Sequence, residues 1–158
     1  MKPDVKSVAY SLRDILNEYS DLSFIQNKYM GENIVDLLSR SEYPLLNIEI
    51  GRNTPQLVGA DNMNDNFVVR YKYTFHIQYA VRSESRNIAL FGSESLKGIY
   101  DICDLVHECL VKSRTLGGSV WDMEIVTTGS QVFSPEPDKL YFIAGAETVV
   151  NYWKDVNL

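Results

Sequence analysis

From Phe67 to Val81 every odd position of the chain is apolar or aromatic: Phe67, Val69, Tyr71, Tyr73, Phe75, Ile77, Tyr79 and Val81. The even positions are mostly polar (Arg70, Lys72, Thr74, His76, Gln78), with Val68 and Ala80 as exceptions. Apolar residues at period two fall on one side of an extended chain, so the run predicts a long strand with one buried and one wet face. At about 3.3 Å per residue it spans roughly 50 Å, more than a domain of this size needs. One end is therefore expected to project and pair beyond the core. Shorter alternations predict three further strands: Leu46, Ile48 and Ile50 after Pro44; Trp121, Met123 and Ile125; and Leu140, Phe142 and Ala144, the last continuing to about Trp153.

Two stretches follow the helical period instead. Val5, Val8, Ala9, Leu12, Leu16 and Tyr19 recur at spacings of three and four, with Pro3 suited to the first turn, which predicts a helix from Pro3 to Tyr19. Leu96, Ile99, Ile102, Cys103, Val106 and Leu110 form the stripe of a second helix, capped by Ser93 or Ser95 and ended by Gly117 and Gly118. Between Leu22 and Tyr43 the pattern weakens. There Ser23 to Asn27 reads as a short strand, and the residues after Gly31 as a short helix burying Ile34, Leu37 and Leu38. Ser83 to Gly92 reads as a loop, as does the connection that carries Pro135 and Pro137.

Residues 51–66 are rich in Asn, Asp, Pro and Gly and are expected as an extended loop. Leu57, Val58 and Met63 make this segment more apolar than a solvated linker. It is read either as a mobile surface loop or as an arm that orders against a neighbouring subunit. Taken together, the elements predict a single α+β domain over residues 1–158. Its sheet is antiparallel or mixed, of about four strands, with two main helices packed on one face and a projecting loop or hairpin arm.

Composition narrows the function. The 158 residues, 45% hydrophobic and 23% charged, are enough for one core without disulfide or metal. No apolar run reaches the roughly 18 residues of a membrane span. Arg13 and Asp14 fall where a signal peptide needs apolar residues, so the expectation is a soluble protein kept in the cytoplasm. A net charge of −6 argues against affinity for nucleic acid, although an acidic wall lets a duplex slide past. Cys103 and Cys109 sit on one predicted helix, roughly 9 Å apart along its axis, which is beyond disulfide reach.

Candidate chemistry is sparse. His107 follows Cys103 by four residues, half of a zinc site, but no second such pair exists. Cys103 is expected to be buried and Cys109 has no evident base. Neither a nucleophile elbow nor a glycine-rich phosphate or dinucleotide loop occurs. Asp101, Asp104 and Glu108 read as a solvated helix face. The expectation is no enzyme: no catalytic residue, no cofactor and no metal site. Ten tyrosines and six phenylalanines suit sheet surfaces or subunit contacts.

The carrying segments are, in order, VKSVAYSLRDIL, YPLLNIEIG, the acidic and Asn-rich loop into RYKYTFHIQYAV, LKGIYDICDLVHECL, and WDMEIVTTGSQVFSPEPDKLYFIAGAETVVNYW. In pattern and element order the chain resembles the tail terminator, or tail completion, proteins of long-tailed bacteriophages. The resemblance covers most of the chain and implies a structural virion protein. Such a protein forms a homo-oligomeric ring, a hexamer, that caps the tail tube, ends its polymerisation and offers an attachment surface to the head or neck. The implied partners are further copies of the chain, the tail tube protein and a neck or head-completion protein. DNA passes through the lumen without specific binding, no membrane is involved, and assembly takes place in the host bacterial cytoplasm. On this reading Pro55, Gln56, Leu57, Val58 and Met63 of the loop, with Arg70, Lys72 and His76 of the wet strand face, meet a neighbouring subunit or the tube. Two other readings stand beside it. One is another neck, head-closure or tail-tube component; the other is a small-ligand-binding α+β domain whose aromatic strand face lines a pocket.

Overall fold

The alternating run of residues 67–81 is strand, and it lies at the centre of the sheet. The computed structural model describes residues 5–40, 42–61, 66–133 and 140–157, with the backbone alone at 40, 56–61, 66–67, 127–128, 130–133 and 157. The chain runs α1 (Val5–Glu18), β1 (Asn27–Met30), α2 (Ile34–Arg40), β2 (Leu45–Asp61), β3 (Asn66–Ser83), α3 (Arg86–Phe91), α4 (Ile99–Lys112), β4 (Asp122–Phe133) and β5 (Phe142–Asn157). One mixed sheet has the order β1-β2-β3-β5-β4, with β1 parallel to β2 and every other pairing antiparallel. The class is α+β, with five strands in place of about four.

Alternation on β3 divides the sheet into two unlike faces. Tyr73, Phe75, Ile77, Tyr79 and Val81 are buried in one cluster with Val8, Leu12 and Leu16 of α1 and Ile102, Val106 and Leu110 of α4. Val150 and Tyr152 of β5 join them, and the Phe75 and Tyr152 rings meet edge to face at 6.1 Å. Both main helices thus share one face, as the helical stripes require. The opposite face is polar for most of its length but holds a small core at one end. There Leu37 of α2 packs with Leu45, Ala80 and Ile143, ringed by Tyr29, Ile34 and Leu38.

The segment 51–66, expected as an extended loop, is strand as far as Asp61. It pairs with β3 from Asn53 opposite Tyr73 to Asp61 opposite Asn66, so the two strands build a long hairpin arm, with β5 beside β3 as far as Val68. Bulges at Ile50/Asn53 and Leu57/Gly59 interrupt its alternation and hide the strand from a period-two reading. Pro55 is tolerated because β1 ends opposite Ile48, which leaves β2 an edge strand beyond that point among the described residues.

Other differences are local. Ser83–Gly92, expected as a loop, contains α3, whose cap Ser85 accepts the Ile88 N–H at 3.4 Å. Six residues are too few to display a helical period. Helix α4 starts behind Gly98, where the Asp101 carboxylate accepts the Gly98 N–H at 2.9 Å. Ser93 instead accepts the Leu96 N–H at 3.2 Å in the turn before it. The helix ends at Lys112, and Gly117 and Gly118, at φ 70° and 91°, shape the turn that follows. Cys109 is the buried thiol and Cys103 only half-buried, because the side of α4 turned to α1 runs through Cys109, whose Sγ lies 3.5 Å from the Ile15 carbonyl oxygen. The strand expected at Ser23–Asn27 lies at Asn27–Met30. Leu140 is exposed, and β5 runs from Phe142 past Trp153 to Asn157. Pro3, Pro135 and Pro137 lie outside the described residues.

Candidate functional site at the root of the hairpin arm

The polar face of β3 presents Gln78, His76, Thr74, Lys72 and Arg70 in turn, flanked by β2 on one side and β5 on the other. Most of these groups are engaged. Gln78 donates to a Glu49 carboxylate oxygen at 2.8 Å and accepts from Asn47 Nδ2 at 3.0 Å. Asn47 also joins the Glu32 backbone, donating to its carbonyl at 2.9 Å and accepting its N–H at 3.3 Å. Asn47 is fully buried, so these bonds meet the desolvation cost of its amide. His76 pairs through Nδ1 with the Glu147 carboxylate. Thr74 donates to Asn151 Oδ1 at 2.7 Å.

Arg70 is held by Asp155 through two bonds, 2.9 and 3.3 Å, and its guanidinium lies 4.3 Å from the centre of the Trp121 ring. The hydrogen bonds to Asp155 raise the proton affinity of the guanidinium further. Lys72 differs from its neighbours. It stands half-buried between Thr54 on β2 and Trp153 on β5, and it has no ion pair among the described residues. Arg52, exposed on β2, likewise has none.

A bulge shapes the ground between them. Gly51 sits in the irregular step between Ile50 and Asn53, and a Cβ there would lie 2.8 Å from the Thr74 carbonyl oxygen and 3.3 Å from His76 Nε2. Only glycine lets the β2 backbone come this close to the Thr74 carbonyl, next to the imidazole. The result is an open groove of about 700 Å³ lined by Ile50, Gly51, Arg52, Thr54, Lys72, Thr74 and His76.

Of the residues singled out from sequence, Lys72 and His76 line this groove. Arg70 lies next along the strand face but is committed to Asp155. Pro55 is exposed beside Thr54 on β2. Gln56, Leu57 and Val58 belong to the arm portion of β2, where the backbone alone is described, and Met63 lies outside the described residues. Sequence reading missed Gly51, Arg52 and Thr54, which it placed in a loop. It also missed Glu147, which is 71 residues from His76 and meets it only through the register of β3 with β5.

The groove brings together two cationic side chains, two hydroxyls and an imidazole bonded to the Glu147 carboxylate, with Glu49 across the ladder from His76. Among the described residues no group of three His, Cys, Asp or Glu side chains is placed to hold a metal ion. Neither protein-family models nor curated proteins give a match to the chain. The thiols lie away from the groove in the helix-side core. Burial pushes the Cys109 thiol up to about 11, and burial also raises that of Cys103, which accepts a hydrogen bond from the Tyr79 hydroxyl at 3.0 Å. Both are poor nucleophiles at neutral pH.

Proposed function

We propose that the protein is a structural tail terminator of a long-tailed bacteriophage or related particle. It forms a homo-oligomeric ring, probed first as a hexamer, that caps the tail tube and carries the attachment surface for the head or neck. The observation that supports this most is the hairpin arm. Arg52, Asn53, Thr54 and Pro55 are four consecutive exposed residues in a paired strand. Successive strand residues point to opposite faces, so the β2 strand of the arm is open on both sides here, while Tyr73 opposite Asn53 stays in the helix-side core. Among the described residues its outer edge beyond Ile48 has no strand beside it, which leaves backbone donors and acceptors for another chain.

The strand order adds a second support. The arm lies towards one side of the sheet and β4 forms the opposite edge, so a contact between unlike edges of successive copies is heterologous, the kind that closes into rings. The net charge of −6 suits a lumen through which DNA slides without sticking. The aromatic face of β3 is filled by α1 and α4, which favours the structural reading over a ligand domain that uses that face as a pocket. The test is direct: the purified chain is added to polymerising tail tube protein from the same genome, and tube lengths are measured by electron microscopy. Elongation is expected to stop at ends that carry a ring. Tubes that grow on unchanged contradict the reading.

A further inference from the structure

We propose that β4 of one copy adds to the free edge of β2 in the next, antiparallel and along residues 49–61, so that the sheet continues from subunit to subunit. This rests on the ring of the tail-terminator reading and names the contact that closes it. Both edges are open: among the described residues no strand lies beside β2 beyond Ile48, or on the outer side of β4. Direction fits as well. Each step from β2 through β3 and β5 to β4 is antiparallel, so β4 runs against β2. Two copies that face the same way then meet as an antiparallel pair, with backbone groups of one edge serving the other. The open part of β2 and the 12 residues of β4 are nearly equal in length. Apolar side chains are exposed on both edges: Ile50 on β2, Val126 at the β4 bulge and Trp121 just before β4. Pro55 offers no N–H to such a ladder, which costs one bond.

The short strand β1 sets the register. With two copies level, Thr128 stands on the row of Ile48 and Gln131 on the row of Leu45. Met30 and Asn27 of β1 already hold those places. The incoming β4 therefore slips toward the arm tip by about six residues, roughly 20 Å, until Phe133 clears β1 and lies beside Glu49. One copy is four ladder steps wide from β2 to the next β2, roughly 19 Å. A slip equal to the width tilts the strands by about 45° from the ring axis, at the upper end of the range in closed sheets. This tilt is the same for any number of copies, so a ring closes on it without strain peculiar to one size. The same register places Gly129 of the incoming strand near Thr54.

Cross-linking of mixed copies tests this on the intact chain. Thr54 and Gly129 are both exposed, and a Cβ at Gly129 meets nothing within 4 Å, so Thr54→Cys and Gly129→Cys leave the fold in place, which thermal melts check. With a short bismaleimide, a mixture of the two variants is expected to give pairs that hold one copy of each. Either variant alone, or the parent chain with its buried and half-buried thiols, is expected to give few. Pairs from Thr54→Cys alone would mean arm-to-arm pairing, pairs from Gly129→Cys alone β4-to-β4 pairing, and no pairs no edge contact; each result overturns the proposal. Amide exchange of the parent chain needs no substitution. As concentration rises, residues 49–61 and β4 are expected to slow together, by about tenfold or more. Slowing of one edge without the other, or of neither, overturns the proposal too. Tube length separates this contact from the terminator reading. Tubes capped by copies that never cross-link would remove the contact and keep the cap, whereas cross-linked copies on tubes that still grow would do the reverse.

Discussion

Phe75 and His76 are neighbours on one strand, yet they live in different solvents. Phe75 is fully enclosed by α1, α4 and the Tyr152 ring, whereas His76 is half-exposed beside a glycine bulge and bonded to Glu147. One face of β3 holds the fold together by burial of apolar area; the other arranges polar groups in pairs and leaves Lys72 without an ion pair among the described residues. The lesson is that stability and recognition are separated by a single pleat. Substitutions one residue apart should then read out different properties.

The largest expected effect is on the apolar face. Phe75→Ala should lower the unfolding free energy by about 3–5 kcal/mol in urea titration, as truncation of a buried Phe leaves a cavity. Asn47→Ala should cost about 1–3 kcal/mol, because it strips partners from the Glu32 backbone and from Gln78 in a buried setting. That result would sharpen the contrast, since Asn47 lies on the polar face but under the cover of its α2 end. His76→Ala should cost under about 1 kcal/mol. Equal losses for Phe75→Ala and His76→Ala would mean both faces are covered, and the division would fail.

The smallest effect concerns the ion pair at the start of β4. Hydrogen bonds from Arg114 hold the Asp122 carboxyl below its ordinary range. A carboxyl lowered on folding stabilises the protein above the unfolded group's pKa, and that gain is lost as the pH falls through the lowered value. Asp122→Asn should therefore melt slightly below the parent at neutral pH, and the two curves should converge in acid. A gap that does not change with pH would show that the pair does not form in solution.

Much of this fold was legible in the sequence because period two and period 3.6 are direct records of burial. The run from Phe67 to Val81 marked β3 and its buried side, and the stripes of α1 and α4 marked the face they share. What escaped has physical reasons. Bulges break the count in β2, so Gly51 to Asp61 looked like loop, and α3 is shorter than two turns; α2 was legible as a short helix, but not the far face that it covers. In the site, Lys72 and His76 were visible as polar positions of an alternating strand. Their partners were not. Glu147, Asn151 and Asp155 reach β3 through cross-strand register, which no local pattern encodes, and Arg52 reaches the groove through a bulge.

The arm is the part of the molecule on which the proposed function rests, and its outer part can be removed without cutting into the cluster under α1 and α4, at the cost of the Val69–Val156 pairing. Replacing Leu57–Val69 by an Asn-Gly turn joins Gln56 to Arg70, which already face each other across the ladder. The decisive measurement is tail-tube length in the presence of this variant, with its melting temperature taken alongside. The account predicts a folded protein that leaves tubes overlong and uncapped, while the parent chain stops them. Tubes of normal length, capped by a folded variant that lacks the outer arm, would contradict it.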